Sequence, residues 1–546
     1  MTKPENKKPK NILWIMADQL RWDYLSCYGH PHLHTPNIDK LAENGVRFNR
    51  AYVNSPVCGA ARMSYYTGRY CRSHGATWNY FPLRIGEKGL GDYMKPLGVR
   101  TVLVGKTHMS ADTEGMEWLG IDPASDIGVS HSQVGFEPFV RDDGLHPTSK
   151  GSDSDYDQYL RSHGFDSTNP WADWANSAED DDGELLSGWL IKNNTAAARV
   201  PDEHSETAFM TNQAMEFMET ADPDKPWICH LSYIKPHWPY IVPAPYHDMY
   251  PPETWLPVNR SEDEKNNAQP VFDAYMKSRI CRAFAQDKVR NSMIGAYMGL
   301  IKQIDDHLGR LFKHMEERGL ADDTMIIMSS DHGDYLGDHW MGEKDLFHDC
   351  SVKVPLIVYD PSSEADATRG KVSDVLVEGI DLIPTFIDYY GGKQHPHVLE
   401  GKSLAPILAG EAENLRDYVI SEFDYVTREA RVTLDVSVED ARLVMCADKR
   451  WKYVHAESFR PMLFDLVNDP NELKDLGDSS DAEHVAVRRL MFERISSWAL
   501  QHHNRTTMTH DKLEAMAAWE PPGLSIGVYD EEDYEQTWGH LYSERP

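Results

Sequence analysis

"NILWIMADQ", Asn11 to Gln19, is the stretch on which the fold turns. Up to Ala17 it is apolar with no polar alternation, the pattern of a strand covered on both faces, and an acid–amide pair closes it. The runs "RTVLVG", "PWICHLSYI", "TMIIMSS" and "VPLIVYD" repeat the pattern further along. Between them lie segments with apolar residues at three- and four-residue spacing: "NIDKLAENGV", "ETAFMTNQAMEFMET" and "NSMIGAYMGLIKQIDDHLGRLFKHMEERG", the last ending at Gly319 as a C-cap. Buried strands alternating with amphipathic helices predict an α/β fold, a large mixed, mostly parallel sheet sandwiched by helices.

That pattern fills residues 1–410, apart from a stretch over about 110–205 rich in Gly, Ser, Asp, Asn and His, which reads as a long elaborated loop. From 411 to 505 the runs shorten to "RLVMCA" and "WKYVHA", followed by the helical "AVRRLMFERISSWALQHH", and a smaller α+β domain is expected. Residues 506–546 read as an arm or tail, which favours a homo-oligomer, a dimer ahead of a tetramer.

The composition suits a large buried core: 546 residues, 41% hydrophobic and 26% charged. A formal charge of −32 argues against nucleic acid and anionic membrane as partners. No apolar run reaches membrane-spanning length, and the basic start lacks a cleavage site, so cytoplasmic residence is expected. Seven cysteines without regular spacing read as reduced thiols, Cys229 and Cys446 as core residues.

In an open α/β sheet, ligands gather beyond the carboxyl ends of the strands. Here those ends carry Asp18-Gln19, Lys106-Thr107-His108, Lys235-Pro236-His237 and Asp331-His332-Gly333. Asp18 and Asp331 offer hard oxygens, His332 an imidazole nitrogen and Gln19 a carbonyl oxygen. That mixed set suits one divalent ion of the Mn²⁺ kind, with Ca²⁺ the alternative. The alternating "GHPHLHTP" run, with His30, His32 and His34, reads instead as an extended loop, and His339 and His348 are left unassigned. Trp238 and Tyr240 read as pocket wall or core, and Lys235, free to point to solvent from the same strand end as His237, is left out of the site.

"SPVCGAARMSYYTGR", Ser55 to Arg69, adds Cys58 and Arg62, four apart and so on one helix face. This stretch resembles the signature of the type I sulfatases of the alkaline phosphatase superfamily, C-x-(P/A)-x-R followed by T-G, with Ala60 at the variable position. The resemblance runs from about Lys10 to about residue 500. It includes "GKTH", "KPHWP", "SSDHGDYLGDH", "GEKDLFHD" and "RPMLFDLVNDPNELKDL". Asp18-Gln19, Asp331-His332 and Asn79 look like the phosphonate monoester hydrolase branch, which is associated with Mn²⁺, whereas Lys106-x-His108 resembles true sulfatases.

The resemblance implies an alkaline phosphatase-like fold and a cysteine, Cys58, oxidised to formylglycine by a formylglycine-generating enzyme. The hydrated aldehyde is then the nucleophile, with Cys58 joining Asp18, Gln19, Asp331 and His332 around the metal. A covalent intermediate forms, and re-formation of the aldehyde expels sulfate. Arg62, Lys106 and Lys344 are expected to spread positive charge over the nonbridging oxygens, which concentrates cations inside an acidic shell. His237 is expected to protonate the leaving oxygen, with Lys344 as competitor, and His108 to assist the second step; Asn79 and Thr107 are expected to donate hydrogen bonds to substrate. The leading expectation is a metal-dependent sulfatase acting on a small anionic ester, an aryl sulfate monoester. Its close alternative is a phosphonate monoester hydrolase or phosphodiesterase using the same site. A catalytically silent metal- or anion-binding protein and a phosphoglycerate mutase-like or nuclease chemistry are the other readings. The latter calls for a threonine or serine nucleophile and a second full metal set.

Overall fold

Residues 10–144, 153–517 and 527–542 are described by a computed structural model; 1–9, 145–152 of the long connection, and 518–526 and 543–546 of the tail lie outside the described residues. The predicted α/β sheet is present, nine-stranded. From one edge its strands run Val372–Ser373, Val46–Tyr52, Lys353–Tyr359, Thr324–Ser329, Asn11–Asp18, Trp227–Pro236, Arg100–Gly105 and Glu137–Arg141, with Val377–Glu378 also paired to Val46–Tyr52. Every pairing is parallel except the two made by Lys353–Tyr359, which runs opposite to both neighbours.

That one reversed strand matters for the site. The parallel strands end at the edge where Asp18, Lys106, His237 and Asp331 emerge, and Lys353–Tyr359 begins there. The segment leading into it, which contains Lys344, therefore arrives at the same edge.

The central strand shows why its sequence has no alternation. Ile12, Trp14 and Met16 point into one apolar cluster, and Leu13, Ile15 and Ala17 into the other. All are at most 1% exposed, so both sets of side chains must be apolar. The helices Pro36–Asn44, Glu206–Thr220 and Ile294–Glu317 cover one face, and Cys58–Thr67 and Leu382–Tyr389 the other. Gly319 follows the longest helix with φ +68°, the left-handed conformation that its C-cap role requires.

The stretch 110–205 is more than a loop. It contains the helices Thr113–Leu119, Asp126–Ser132 and Asp155–Ser162, a small hairpin, and the edge strand Glu137–Arg141. "EPFVR" is short, polar and half exposed, as edge strands are, so it carries no buried-strand signal.

Between 411 and 505 the chain forms a four-stranded antiparallel sheet, Val419–Asp424, Arg442–Ala447, Trp451–Ala456 and Met462–Asp465, packed against the helix Ala482–Ala499. By its contacts this α+β part belongs to the same compact unit as the large sheet, which comprises residues 1–394 and 399–501. Residues 395–398 and 502–546 form a second unit, whose described helices are His510–Ala515 and Glu531–Tyr542. Among the described residues, no helix is long and apolar enough to cross a membrane.

Lys452 ties the small sheet to the large one. Its fully buried ammonium meets Asp349 Oδ1 and Glu472 Oε1 at 2.6 Å each and donates to the carbonyl of Phe347 at 2.8 Å. Removing one member of such a network leaves buried charge uncompensated, at a cost of about 3–5 kcal/mol. Lys452→Met is therefore expected to lower unfolding stability by about that amount, read as a fall in the urea midpoint at unchanged slope.

Candidate active site

The chain leaves Val46–Tyr52 at the ligand-bearing edge and enters the helix Cys58–Thr67 with Cys58 as its first residue. All residues of this helix are buried, which is why its sequence shows no polar face. Gly59 permits the packing, because a Cβ there would stand 2.9 Å from Asn79 Oδ1. A helix N-terminus stabilises negative charge on a side chain placed against it. Cys58 Sγ lies 2.9 Å from His332 Nε2 and 3.0 Å from Lys344 Nζ. Burial pushes this thiol up, but Lys344, His332 and Lys106 outweigh it and hold the pKa well below the usual thiol range.

Asp18 Oδ1 and Asp331 Oδ1 lie 3.9 and 3.8 Å from His332 Nε2, and Asp18 Oδ1 lies 4.0 Å from Cys58 Sγ. Asp18, Cys58, Asp331 and His332 offer donor atoms all within 4.8 Å of one another, and all four residues are buried. Gln19 stands beside them with φ +65°, a strained conformation held from three sides. Its N–H donates to Asp331 Oδ1 at 3.1 Å, its carbonyl accepts from the Tyr297 hydroxyl at 2.8 Å, and its Nε2 donates to Asp334. That leaves Gln19 Oε1 buried with no hydrogen-bond partner. Two carboxylates, an imidazole and a thiol with donor atoms this close fit a divalent ion, and the unpartnered Gln19 Oε1 is a further oxygen next to Asp18 in the chain.

The electrostatics fit the same need. Burial and the Cys58 sulfur push Asp18 up, yet Lys106 and Arg62 outweigh them and keep it below the ordinary carboxylate range. Burial raises Asp331. Burial also opposes a charged His332, but Asp331 and the sulfur carry it up to about 9; a cation entering the gap would take over that positive charge.

Arg62 is engaged on all sides. Its Nε donates to Asp331 Oδ2 at 2.8 Å and its Nη2 to Asp18 Oδ2 at 3.1 Å, while Nη1 donates to the Lys106 carbonyl at 2.9 Å and Ser232 Oγ at 2.8 Å. The guanidinium thus bridges both carboxylates and is fully buried. Lys106 Nζ is likewise ion-paired to Asp18 Oδ2 at 2.6 Å. Lys344 faces the sulfur directly, with His237 Nε2 3.4 Å from its Nζ. Burial first, then Lys106, drives His237 down to about 3, and its Nδ1 hydrogen goes to the Trp238 carbonyl at 2.7 Å. Its Nε2 is therefore an acceptor for Lys344.

Asn79 Oδ1 accepts the Gly59 N–H at 2.7 Å, which fixes the amide beside the helix start. The N–H groups of Thr107 and His108 both donate to Asp143 Oδ1 at 2.8 Å, and the Thr107 hydroxyl is turned to the same oxygen at 3.5 Å. The His108 imidazole is turned to the Cys58 sulfur, whose pKa it helps to lower, and the exposed ring of Tyr80 lies 5.2 Å from it. Lys235 is buried rather than solvent-facing, held by Asn176 Oδ1 at 2.8 Å and the Pro239 carbonyl at 2.9 Å, away from this cluster.

Sequence reading missed the residues that hold the cluster in place. Asp334 accepts from Gln19 and, at 2.6 Å, from the Tyr240 hydroxyl; Asp143 orients the 107–108 backbone; Ser232 and Tyr297 anchor Arg62 and Gln19. Of these, Asp334 alone had a signal, its place three residues after Asp331 in the same strand-end turn.

Comparison with known proteins places this geometry in context. Residues 10–392 match the family model described as Sulfatase, and 337–499 that of the N-sulphoglucosamine sulphohydrolase C-terminal region. The multifunctional alkaline phosphatase superfamily protein PehA of Trinickia caryophylli is 31% identical over 527 residues, 92% of this chain and 97% of its own. An arylsulfatase of Clostridium perfringens is 26% identical, covering 86% and 91%. The crystal structure of a phosphonate monoester hydrolase of Agrobacterium radiobacter superposes with a TM-score of 0.78 at 29% identity, covering 92% of this chain and 97% of that one.

Proposed function

Because the chain belongs to the sulfatase family of the alkaline phosphatase superfamily, we propose that it hydrolyses aryl sulfate monoesters through a formylglycine formed from Cys58, with one divalent ion held by Asp18, Gln19, Cys58, Asp331 and His332. The observation that carries this reading is the position of Cys58. It is a buried helix-start residue whose Sγ touches Lys344 Nζ at 3.0 Å and His332 Nε2 at 2.9 Å, beside two carboxylates. A bound divalent ion supplies positive charge against the reacting oxygens, and formylglycine supplies a hydrated aldehyde that can attack and later release the acid group.

The chain's own residues do the rest. Arg62 fixes the two carboxylates so that neither has to reorganise during the reaction. Lys344 places a proton and a positive charge beside the nucleophile and is the group that can protonate the leaving oxygen, while His237, neutral with its Nδ1 hydrogen on the Trp238 carbonyl, accepts a hydrogen bond from Lys344 at Nε2 and orients it. His108, whose imidazole lies against the Cys58 sulfur, is placed to assist the second step.

A second reading, phosphonate monoester or phosphodiester hydrolysis at the same site, is favoured by Gln19 with its free Oε1 and by the likeness to the Agrobacterium radiobacter hydrolase. All three ester classes present one negative charge at neutral pH, so charge alone does not separate them. Side-by-side kcat/KM values on an aryl sulfate, an aryl phosphate diester and an aryl phosphonate monoester do. The proposal expects the sulfate to be preferred by at least about tenfold, a transition-state difference of about 1.4 kcal/mol. Preference for either phosphorus ester assigns the second reading.

A further inference from the structure

Tyr80 stands where the fold does not need it. It lies in the turn that the Phe81 N–H closes on the Trp78 carbonyl at 3.2 Å. The residues around it are anchored. Trp78 is buried against Phe423 at 5.7 Å with the Arg428 guanidinium over its ring, Asn79 Oδ1 holds the Gly59 N–H, and Phe81 packs on the core. Tyr80 itself is 70% exposed and has φ +67°, the left-handed region, which at the third position of a turn ordinarily calls for glycine or asparagine. A bulky side chain there strains the backbone, and an exposed ring returns little burial for it. Strain retained at an exposed aromatic beside a reactive centre calls for a use other than packing.

The ring's neighbour shows what that use is. Its centroid lies 5.2 Å from that of His108 at an interplanar angle of 59°, and His108 is turned to the Cys58 sulfur. One imidazole therefore separates Tyr80 from the nucleophile. An aryl ester carries its ring one oxygen away from the atom under attack, so a substrate seated at Cys58 brings that ring to this rim. Aromatic rings attract one another in offset or edge-to-face arrangements at spacings of this order. We propose that Tyr80 is a specificity-determining residue, whose open face takes the aryl group of an ester bound at Cys58. This rests on the reading of Cys58 as the reacting centre but not on which ester is cleaved, because aryl sulfates, phosphodiesters and phosphonates share the ring. The face of the ring makes the contact, so Tyr80→Phe keeps the preference for aryl esters. Tyr80→Gly, which suits the left-handed backbone, removes it.

The test is binding without turnover: dissociation constants of phenyl sulfate and methyl sulfate for full-length, Mn²⁺-loaded Cys58→Ala protein, measured by isothermal titration calorimetry. Adding Tyr80→Gly is expected to reduce the phenyl-over-methyl affinity ratio by about tenfold, with a Tm no lower than that of its parent. Adding Tyr80→Phe is expected to leave the ratio within about twofold. A ratio unchanged by Tyr80→Gly overturns the inference, as does an equal fall with Tyr80→Phe or a parent that does not bind phenyl sulfate. A Tyr80-dependent ratio in a protein whose wild type turns over no aryl ester supports the inference and contradicts the function proposed above.

Discussion

Cys58→Ala is expected to lower turnover of an aryl sulfate by at least about 10⁴-fold while leaving the protein folded, because it deletes the group on which covalent catalysis depends. The side chain is fully buried and small, and alanine removes only the sulfur, so the surrounding packing changes little. Lys344, His332, Asp18 and Asp331 all remain in place, which separates loss of the nucleophile from loss of the site. Metal uptake at the Asp18–Asp331 cluster should persist in this variant, with one donor fewer. A Cys58→Ala protein that keeps even a tenth of wild-type turnover would remove Cys58 from the mechanism.

Arg62→Met is expected to damage both fold and activity. Its guanidinium bridges Asp18 and Asp331, and through Lys106 and Ser232 it joins four strands. Methionine matches its bulk but leaves two buried carboxylates facing each other, at a cost of about 3–5 kcal/mol. Arg62→Lys recovers only part of this, since one ammonium cannot span both carboxylates in the way a planar fork does. A bound cation would neutralise the same carboxylates, so the deficit should shrink when divalent metal is added and grow under chelator. Denaturant midpoints with and without chelator measure it. A deficit indifferent to metal would mean that the two carboxylates do not share a cation.

The fold was legible in the sequence wherever both faces of a strand are buried. Asn11–Asp18, Arg100–Gly105, Trp227–Pro236, Thr324–Ser329 and Lys353–Tyr359 all appear as apolar runs, although no run reveals its direction, so the reversal of Lys353–Tyr359 stayed hidden. That reversal is what delivers Lys344. Val46–Tyr52 and Glu137–Arg141 stand towards the edges, mix partly or fully exposed positions with buried ones, and so carried no such signal.

The cluster itself was legible because its groups come directly after strand ends, where the topology has to converge. Its supports were not. Asp143, Ser232, Tyr297 and Asp334 act through hydrogen bonds between residues up to several hundred positions apart, and no local spacing encodes such a bond. For the same reason the spacing placed Arg62 on the Cys58 face of its helix but not against Asp18, Asp331, Lys106 and Ser232, which lie on other elements.

The account stands most directly on the chemical state of Cys58. The measurement is the mass of the tryptic peptide Ala51–Arg62, from protein made in a host that contains a formylglycine-generating enzyme. The account predicts a peptide lighter than the cysteine form by the difference between –CH2SH and –CHO, with the modified fraction tracking aryl sulfatase turnover across preparations. A fully active preparation in which Cys58 is an unmodified thiol would contradict it.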